Sequence, residues 1–436
     1  MDNPKKIYGY ISLDGEKYAF AIDDYIGRIF NGVSGITWDE NIEVPKILYG
    51  VTDQNYEIII EVTQARKTTN CIMFSTPYYV IGRSNNIHYD FSHFNKISFV
   101  GGNINSILDP SLIYEDTFEP NIRDNGCCIK FKPLKDVTSI YEVSVNDKNV
   151  KLTTTIYPYQ DRKDNKLGVT NSVFSVEFES AQEIQELRTW YKLIYKIVTL
   201  LVQQQNVDFD RITITSGENP HGEAYVYVKH DFSDVCDKKP RRAISIKEFD
   251  TIMDKFIIAI ENDEFSINFL PKSNRDARYI TYEDIKNICT ALEFEYGKSD
   301  VRLKKEDAIE QLVKQVKELV KKYKNSHPEL TEKSYNNINS NLKNWSSPAA
   351  EQFNALYENK KELIDKIINL KQVYLDCEKI QKIVTFRNNI THGSKPTINK
   401  DIVETAYALR VLVYATFLSR IGLSDEAIYN ALVFAF

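Results

Sequence analysis

Arginine, asparagine and histidine lie close together near the end of the chain, in the segment RNNITHG at residues 387–393. RNA can be cleaved without a metal ion if one group moves protons at the 2′-hydroxyl and the 5′-oxygen and a cation stabilises the charge on phosphorus. An imidazole such as His392 transfers protons near neutral pH. The guanidinium of Arg387 can grip phosphate oxygens through two hydrogen bonds, and the Asn388 amide could bind the phosphate or hold the imidazole. The products would carry 2′,3′-cyclic phosphate and 5′-hydroxyl ends.

A purely structural explanation of the same residues also exists. Cations at the carboxyl end of a helix interact favourably with its dipole, so Arg387 and His392 could stabilise a helix end without any chemistry. Two acids in the second half, Glu293 and Glu295, could support the site, although caps or salt bridges are the simpler interpretation. The patterns for nucleotide loops, zinc proteases and serine hydrolases are absent from the sequence. We therefore expect no metal and no cofactor.

The elements that must position these residues fall into two parts. Short alternating apolar runs, beginning with a predicted hairpin at 7–22, indicate antiparallel strands through the first half, with one helix at 184–198. Strand signals end near 271–274. The sequence thus predicts an α+β protein with a mainly antiparallel β domain at 1–272 and an all-α bundle at 273–436. Helices are predicted at 303–323, from the Ser347-Pro348 pair onward, and at 362–391, 401–419 and 425–436.

Composition narrows the class of protein. A net charge of −6 over 436 residues argues against a protein that coats nucleic acid nonspecifically, although it allows a local basic groove. The lysines at 304–324 are better explained as a solvated helix face, and His221 as a loop residue. The basic cluster at 239–242 could touch phosphate, but a surface loop explains it equally well. The six cysteines are scattered, which fits reduced thiols. No secretory signal or bilayer-length apolar run is found, so we expect a cytoplasmic location and no membrane.

The segment RNNITHG resembles the R-x4-6-H motif of HEPN ribonucleases, in which a polar residue follows the arginine, as Asn388 does here. The whole layout, with an early phrase LYGVTDQNYEIIIEV ahead of a helical bundle, resembles the ApeA-like HEPN proteins of bacterial anti-phage defence. This resemblance implies a HEPN-like nuclease domain that cleaves RNA, with tRNA as a candidate, during abortive infection. It also implies a homodimer that pools two motifs in one cleft, and control by a phage-derived trigger. The N-terminal domain would sense that trigger or position the RNA.

A homodimer would ease a geometric problem within one chain. Five residues along an ideal helix turn the side-chain direction by about 140°, so Arg387 and His392 should point apart. The alternative to a nuclease is a binding module without catalysis, in which the bundle is a dimerisation or antitoxin-like element and the β-rich domain binds a ligand. The two hypotheses differ in whether RNA cleavage depends on His392.

Overall fold

The computed structural model describes residues 6–30, 43–68, 70–82, 90–117, 128–161, 166–216, 222–234, 239, 242–303, 307–345 and 348–436. The chain divides into two compact units, Met1–Asn262 and Asp263–Phe436. The first is built on an antiparallel sheet and the second is helical, which confirms the α+β class.

The strands of the first unit follow the predicted alternation of buried and exposed residues. β1, for example, buries every second side chain, as expected when one face of a strand packs on a core. The described strands are β1 (Lys6–Leu13), β2 (Glu16–Asp23), β3 (Ile26–Phe30), β4 (Ile47–Thr52), β5 (Glu57–Glu61), β6 (Thr63–Lys67), β7 (Cys71–Ser75), β8 (Tyr78–Gly82), β9 (His93–Val100), β10 (Tyr114–Thr117), β11 (Cys128–Phe131), β12 (Ser139–Val145), β13 (Lys148–Asp161), β14 (Lys166–Glu183), β15 (Arg211–Thr215) and β16 (Glu223–Val228).

One antiparallel sheet joins fourteen of these described strands in the order β12-β13-β14-β9-β15-β16-β8-β5-β4-β1-β2-β3-β7-β6, while β10 pairs with β11 alone. β5 and β6 are separated only by Val62, yet β5 pairs with β4 and β6 pairs with β7. This half of the sheet therefore returns to its own starting segment and closes into a small barrel. Buried Ile11, Phe20 and Phe74 are among the residues that fill it.

Helices cover the open half of the sheet in the first unit. The described helices are α1 (Asn103–Ile107), α2 (Leu187–Val202) and α3 (Met253–Glu261). α2 places Trp190 edge-on against Phe178 of β14, with ring centroids 4.7 Å apart. α2 corresponds to the helix predicted at 184–198, and it begins three residues later because a short 3-10 turn, Ile184–Glu186, precedes it.

The second unit contains seven described helices: α4 (Tyr282–Lys298), α5 (Asp307–Ser326), α6 (Glu332–Trp345), α7 (Ala349–Ile368), α8 (Cys377–Thr391), α9 (Lys400–Arg420) and α10 (Asp425–Leu432). α9 is central: it contacts α4, α7, α8 and α10. The predicted boundary after residue 272 lies ten residues beyond the boundary at Asn262. Segment 263–272 joins the helices because Phe265 and Phe269 pack on Tyr414 of α9.

α9 is also apolar and long enough to span a membrane by length and composition. However, 78% of its most apolar window is buried inside the protein. Its apolar side chains therefore form the core of the helical unit.

The structure corrects one predicted helix and leaves the apolar face of another uncovered. The single helix expected at 362–391 is wrong: α7 ends at Ile368, and α8 begins at Cys377. Gln372 takes a left-handed conformation (φ +58°) between them, and the Asp376 side chain caps the new helix. α5 forms as predicted at 303–323, but its apolar face is largely uncovered, since Leu312 and Leu319 are 50% and 66% exposed.

Candidate functional site

The candidate residues lie on the last turns of α8. This helix begins at an Asp376 cap, whose carboxylate accepts a hydrogen bond from the Lys379 amide at 2.8 Å. Ile383, Val384 and Phe386 are buried and fix which face points inward. The polar residues that follow are thus presented from a helix whose rotation is set by its apolar face.

Arg387 points toward α4. Its guanidinium forms an ion pair with Glu293, and its side chain is 22% exposed. It also donates a hydrogen bond to the thiol of Cys289, which is fully buried. Burial raises the pKa of the Cys289 thiol to about 12, so this sulfur stays protonated and is not a nucleophile. Arg387 is therefore a positioned cation that keeps partial access to solvent.

His392 occupies the end of α8 itself. Its amide donates to the Asn388 carbonyl at 3.0 Å, and the chain then turns at Gly393, which has a φ of +87°. The Gly393 amide donates to the Ile390 carbonyl and the Ser394 amide to the Asn389 carbonyl, which is the paired hydrogen bonding of a Schellman motif. The His392 side chain is exposed, while its backbone is held by this motif.

Asn388 follows Arg387 and is also exposed. Among the residues that the structure describes, no hydrogen bond or ion pair links the side chains of Arg387, Asn388 and His392. The structure thus brings all three to one helix end without joining them. This arrangement agrees with the divergence expected for positions five residues apart on a helix.

The Gly393 turn gives a direct test of how His392 is held. A Cβ on Gly393 would meet no atom within 4 Å, so only its left-handed backbone opposes a side chain there. We expect Gly393→Ala to lower the free energy of unfolding by about 1–2 kcal/mol. Gly393→Asn should lower the free energy of unfolding by less, because asparagine tolerates this left-handed conformation. Urea denaturation of the two variants measures the difference, and equal stability would contradict this account of the turn.

Helix α4 supplies acids to three arginines of the bundle. Besides Glu293 with Arg387, the Asp284 carboxylate lies 3.5 Å from Arg410 of α9. Glu295 accepts two hydrogen bonds from Arg420 of α9, at 3.1 and 3.2 Å. Arg420 also reaches Glu264, at 2.6 Å.

Sequence reasoning had considered Glu293 and Glu295 as caps, salt bridges or site support, and both form salt bridges. It missed Asp284 and Cys289. A signal for the buried carboxylate was present: Glu295 continues the apolar stripe of Ile285, Ile288 and Leu292 at three- and four-residue spacing, where a charge requires a partner.

Several other residues that the sequence suggests as candidates are not described by the structure. His221, Arg241 and the lysines at 304 and 305 lie outside the described residues. Within the described ranges, no group of three or more histidine, cysteine, aspartate or glutamate side chains is placed to hold a metal ion. Comparisons of this chain with protein-family models, with curated proteins and with solved structures found no match.

Proposed function

We propose that this protein is a metal-independent endoribonuclease in which His392 moves protons and Arg387 stabilises the charge on phosphorus. The observation that carries the proposal is the end of α8, where an exposed histidine on a rigid turn follows a half-buried, ion-paired arginine. The resemblance of this segment to the HEPN motif supports the same assignment. In this reaction the 2′-oxygen attacks phosphorus as its proton leaves, and the departing 5′-oxygen takes up a proton.

Arg387 can serve the phosphate while remaining paired with Glu293. A guanidinium offers five N–H donors in a planar fork, and a carboxylate uses at most two of them in a bidentate pair. The rest can meet phosphate oxygens as negative charge develops in the transition state. Glu293 would then act as a positioning residue that limits the rotamers of Arg387.

A complete site needs both an acid and a base, yet each chain offers one His392. We therefore propose a homodimer in which two α8 ends share one cleft, so that one imidazole accepts the 2′-proton while the other donates to the 5′-oxygen. Asn388, exposed beside Arg387, would contact the phosphate or the neighbouring imidazole. This assembly also removes the need for Arg387 and His392 of one chain to converge.

The biological setting follows from the resemblance. We propose a cytoplasmic enzyme of anti-phage defence that cleaves RNA, with tRNA as the first substrate to test, after a phage-derived trigger acts on the β-sheet unit. Keeping the enzyme silent before infection would spare host RNA and would make abortive infection conditional.

A second candidate function is favoured by one observation. Since Arg387 already has Glu293 as a partner, the pair could serve only to fasten α8 to α4. The bundle would then be a dimerisation or antitoxin-like binding module, and the β-sheet unit would bind the ligand. Under this hypothesis the exposed His392 would have no role in RNA metabolism.

The proposal is tested by incubating purified protein with total bacterial RNA in EDTA, with and without extract of phage-infected cells, and by mapping the ends produced. We expect discrete cuts that carry 2′,3′-cyclic phosphate and 5′-hydroxyl groups. Arg387→Ala should lower the cleavage rate by about 10²–10³-fold. The cleavage rate of Arg387→Lys should lie between the rates of the parent protein and of Arg387→Ala, because lysine keeps the charge but lacks the planar guanidinium.

Arg278→Ala is the matched control, since this arginine of the same unit is exposed on the surface. Glu293 is 40% exposed, so the loss of Arg387 should change unfolding by no more than about 1 kcal/mol. Unchanged cleavage by Arg387→Ala, or the absence of any cuts in triggered extract, would favour the binding module.

A further inference from the structure

A second candidate site lies in the β-sheet unit, in a pocket of about 170 Å³ beside strands β15 and β16. Its lining combines aromatic rings with charged side chains, and the proposed cleavage of RNA uses none of them. The aromatic and charged residues of the lining include Tyr25, Asp208, Asp210, Arg211, Tyr227 and His230.

The aromatic wall is held rigidly. Tyr25 is the second residue of the tight turn between β2 and β3, where it adopts a φ of +64°. A buried aromatic residue rarely takes this left-handed conformation. Its hydroxyl donates to the Val228 carbonyl at 2.8 Å, and its ring centroid lies 5.4 Å from that of Tyr79. Tyr227 stacks on the same Tyr79 at 5.0 Å. The turn therefore holds Tyr25 in the pocket wall, where Tyr227 also packs on the buried Tyr79.

Two charged groups line the pocket, and one of them has a buried atom without a partner. The Nε atom of Arg211 is buried and meets no hydrogen-bond partner among the described residues. The carboxylate of Asp210 lies over Gly101, where an added Cβ would come within 2.0 Å of it, and this residue is exposed to solvent. A guanidinium with one unpaired buried nitrogen and a solvent-accessible carboxylate thus line the pocket. A buried donor without a partner indicates an absent ligand that carries an acceptor.

A third polar group is already satisfied. His230 Nε2 lies 3.4 Å from the Asp208 carboxylate, and burial lowers the pKa of this histidine. A neutral imidazole paired with Asp208 adds a polar edge without adding positive charge. With two aspartates and one arginine, the pocket does not favour a simple anion such as free phosphate.

The ligand must be flat enough to stack on tyrosine and must carry both donors and acceptors. The volume equals that of about six water molecules, which leaves room for one ring system. Guanine fits these demands: its adjacent N1 and N2 donors suit a carboxylate, and its O6 and N7 acceptors suit a guanidinium. Adenine would present an acceptor at N1 to the carboxylate. We propose that this pocket binds a guanine base, supplied by a free nucleotide or by single-stranded RNA.

The test is equilibrium binding to the full chain, made as His392→Ala so that no RNA is cut during the titration. Guanosine, GMP, adenosine and two tetranucleotides that differ in one G or A are titrated by calorimetry. We expect guanine ligands to bind about tenfold or more tightly than their adenine counterparts. Equal binding of guanosine and GMP would identify a free nucleotide as the source. Tighter binding of the G-containing tetranucleotide than of guanosine would identify RNA.

Arg211→Lys should weaken guanosine binding about tenfold, because lysine cannot form the bidentate pair. Asp210→Asn should reduce the preference for guanine over adenine. Arg28→Lys is the matched control, as this exposed arginine of β3 does not line the pocket. The proposal is overturned if guanine and adenine ligands bind alike, or if Arg211→Lys binds guanosine as tightly as the parent protein does. Neither result depends on whether the helical unit is a nuclease.

Discussion

Replacement of His392 by alanine is expected to lower RNA cleavage by about 10²–10⁴-fold, the usual contribution of one acid–base group. The protein should still fold. The His392 side chain is exposed, and its backbone (φ −88°, ψ 14°) can be adopted by any residue. The turn that follows depends on backbone hydrogen bonds and on Gly393, which the substitution leaves unchanged. The loss of an exposed surface side chain should change the free energy of unfolding by no more than about 0.5 kcal/mol.

Cleavage is measured as a single-turnover rate on one mapped RNA, beside a urea denaturation curve and a size-exclusion profile. His327→Ala provides the matched control. His327 belongs to the same unit and stacks on Tyr323 at 3.8 Å, but it lies at the end of α5 and outside the proposed site. Full activity in His392→Ala would eliminate the proposed chemistry. A parallel loss of activity and of the parent protein's stability or elution volume would instead assign His392 a structural role.

Local features of this protein could be predicted from the sequence. The alternation in β1 and the periodicity in the first turns of α2 each report one buried face, which is a property of neighbouring residues. From Ile197 to Val202, α2 is buried on all sides. The break between α7 and α8 could not be predicted because neither glycine nor proline occurs in residues 362–391. Gln372 takes the left-handed turn there, a position at which sequence reasoning expects glycine or asparagine.

Long-range features could not be predicted in this way. The barrel closes because Val62 joins β5, which pairs with β4, to β6, which pairs with β7. No local sequence pattern indicates that the chain changes pairing partners at this residue. At the candidate site the types of Arg387, Asn388 and His392 were visible, but the orientation of Arg387 was not. That orientation is set by Glu293, which is 94 residues away in the chain. The end of a helix can be predicted from neighbouring residues. The residue that orients a side chain at that end can be identified only from the folded structure.

The largest effect on stability is expected from Arg420→Ala. Glu295 is 1% exposed and accepts two hydrogen bonds from Arg420, so removing the arginine leaves a buried carboxylate without its cation. Such a loss typically lowers the free energy of unfolding by about 3–5 kcal/mol. Replacing both members, as Glu295→Leu with Arg420→Met, should cost less than Arg420→Ala alone, because no buried charge remains. Glu264, the other partner of Arg420, is 30% exposed and can be hydrated instead.

The pH dependence of this destabilisation distinguishes an unpaired charge from lost packing. Burial raises the pKa of Glu295 above its usual range, and Arg420 opposes that shift. A carboxyl whose pKa is higher in the folded than in the unfolded state contributes stability at low pH, and this contribution is lost as pH rises through the folded value. Without Arg420 the folded pKa should rise further. The cost of Arg420→Ala should therefore be greater at pH 7.5 than at pH 5, as measured by urea denaturation at both values. An equal loss of unfolding free energy at the two pH values would mean that Arg420 acts through packing alone. The ion pair between Arg420 and Glu295 would then not explain how α9 holds α4, the helix whose Glu293 orients Arg387.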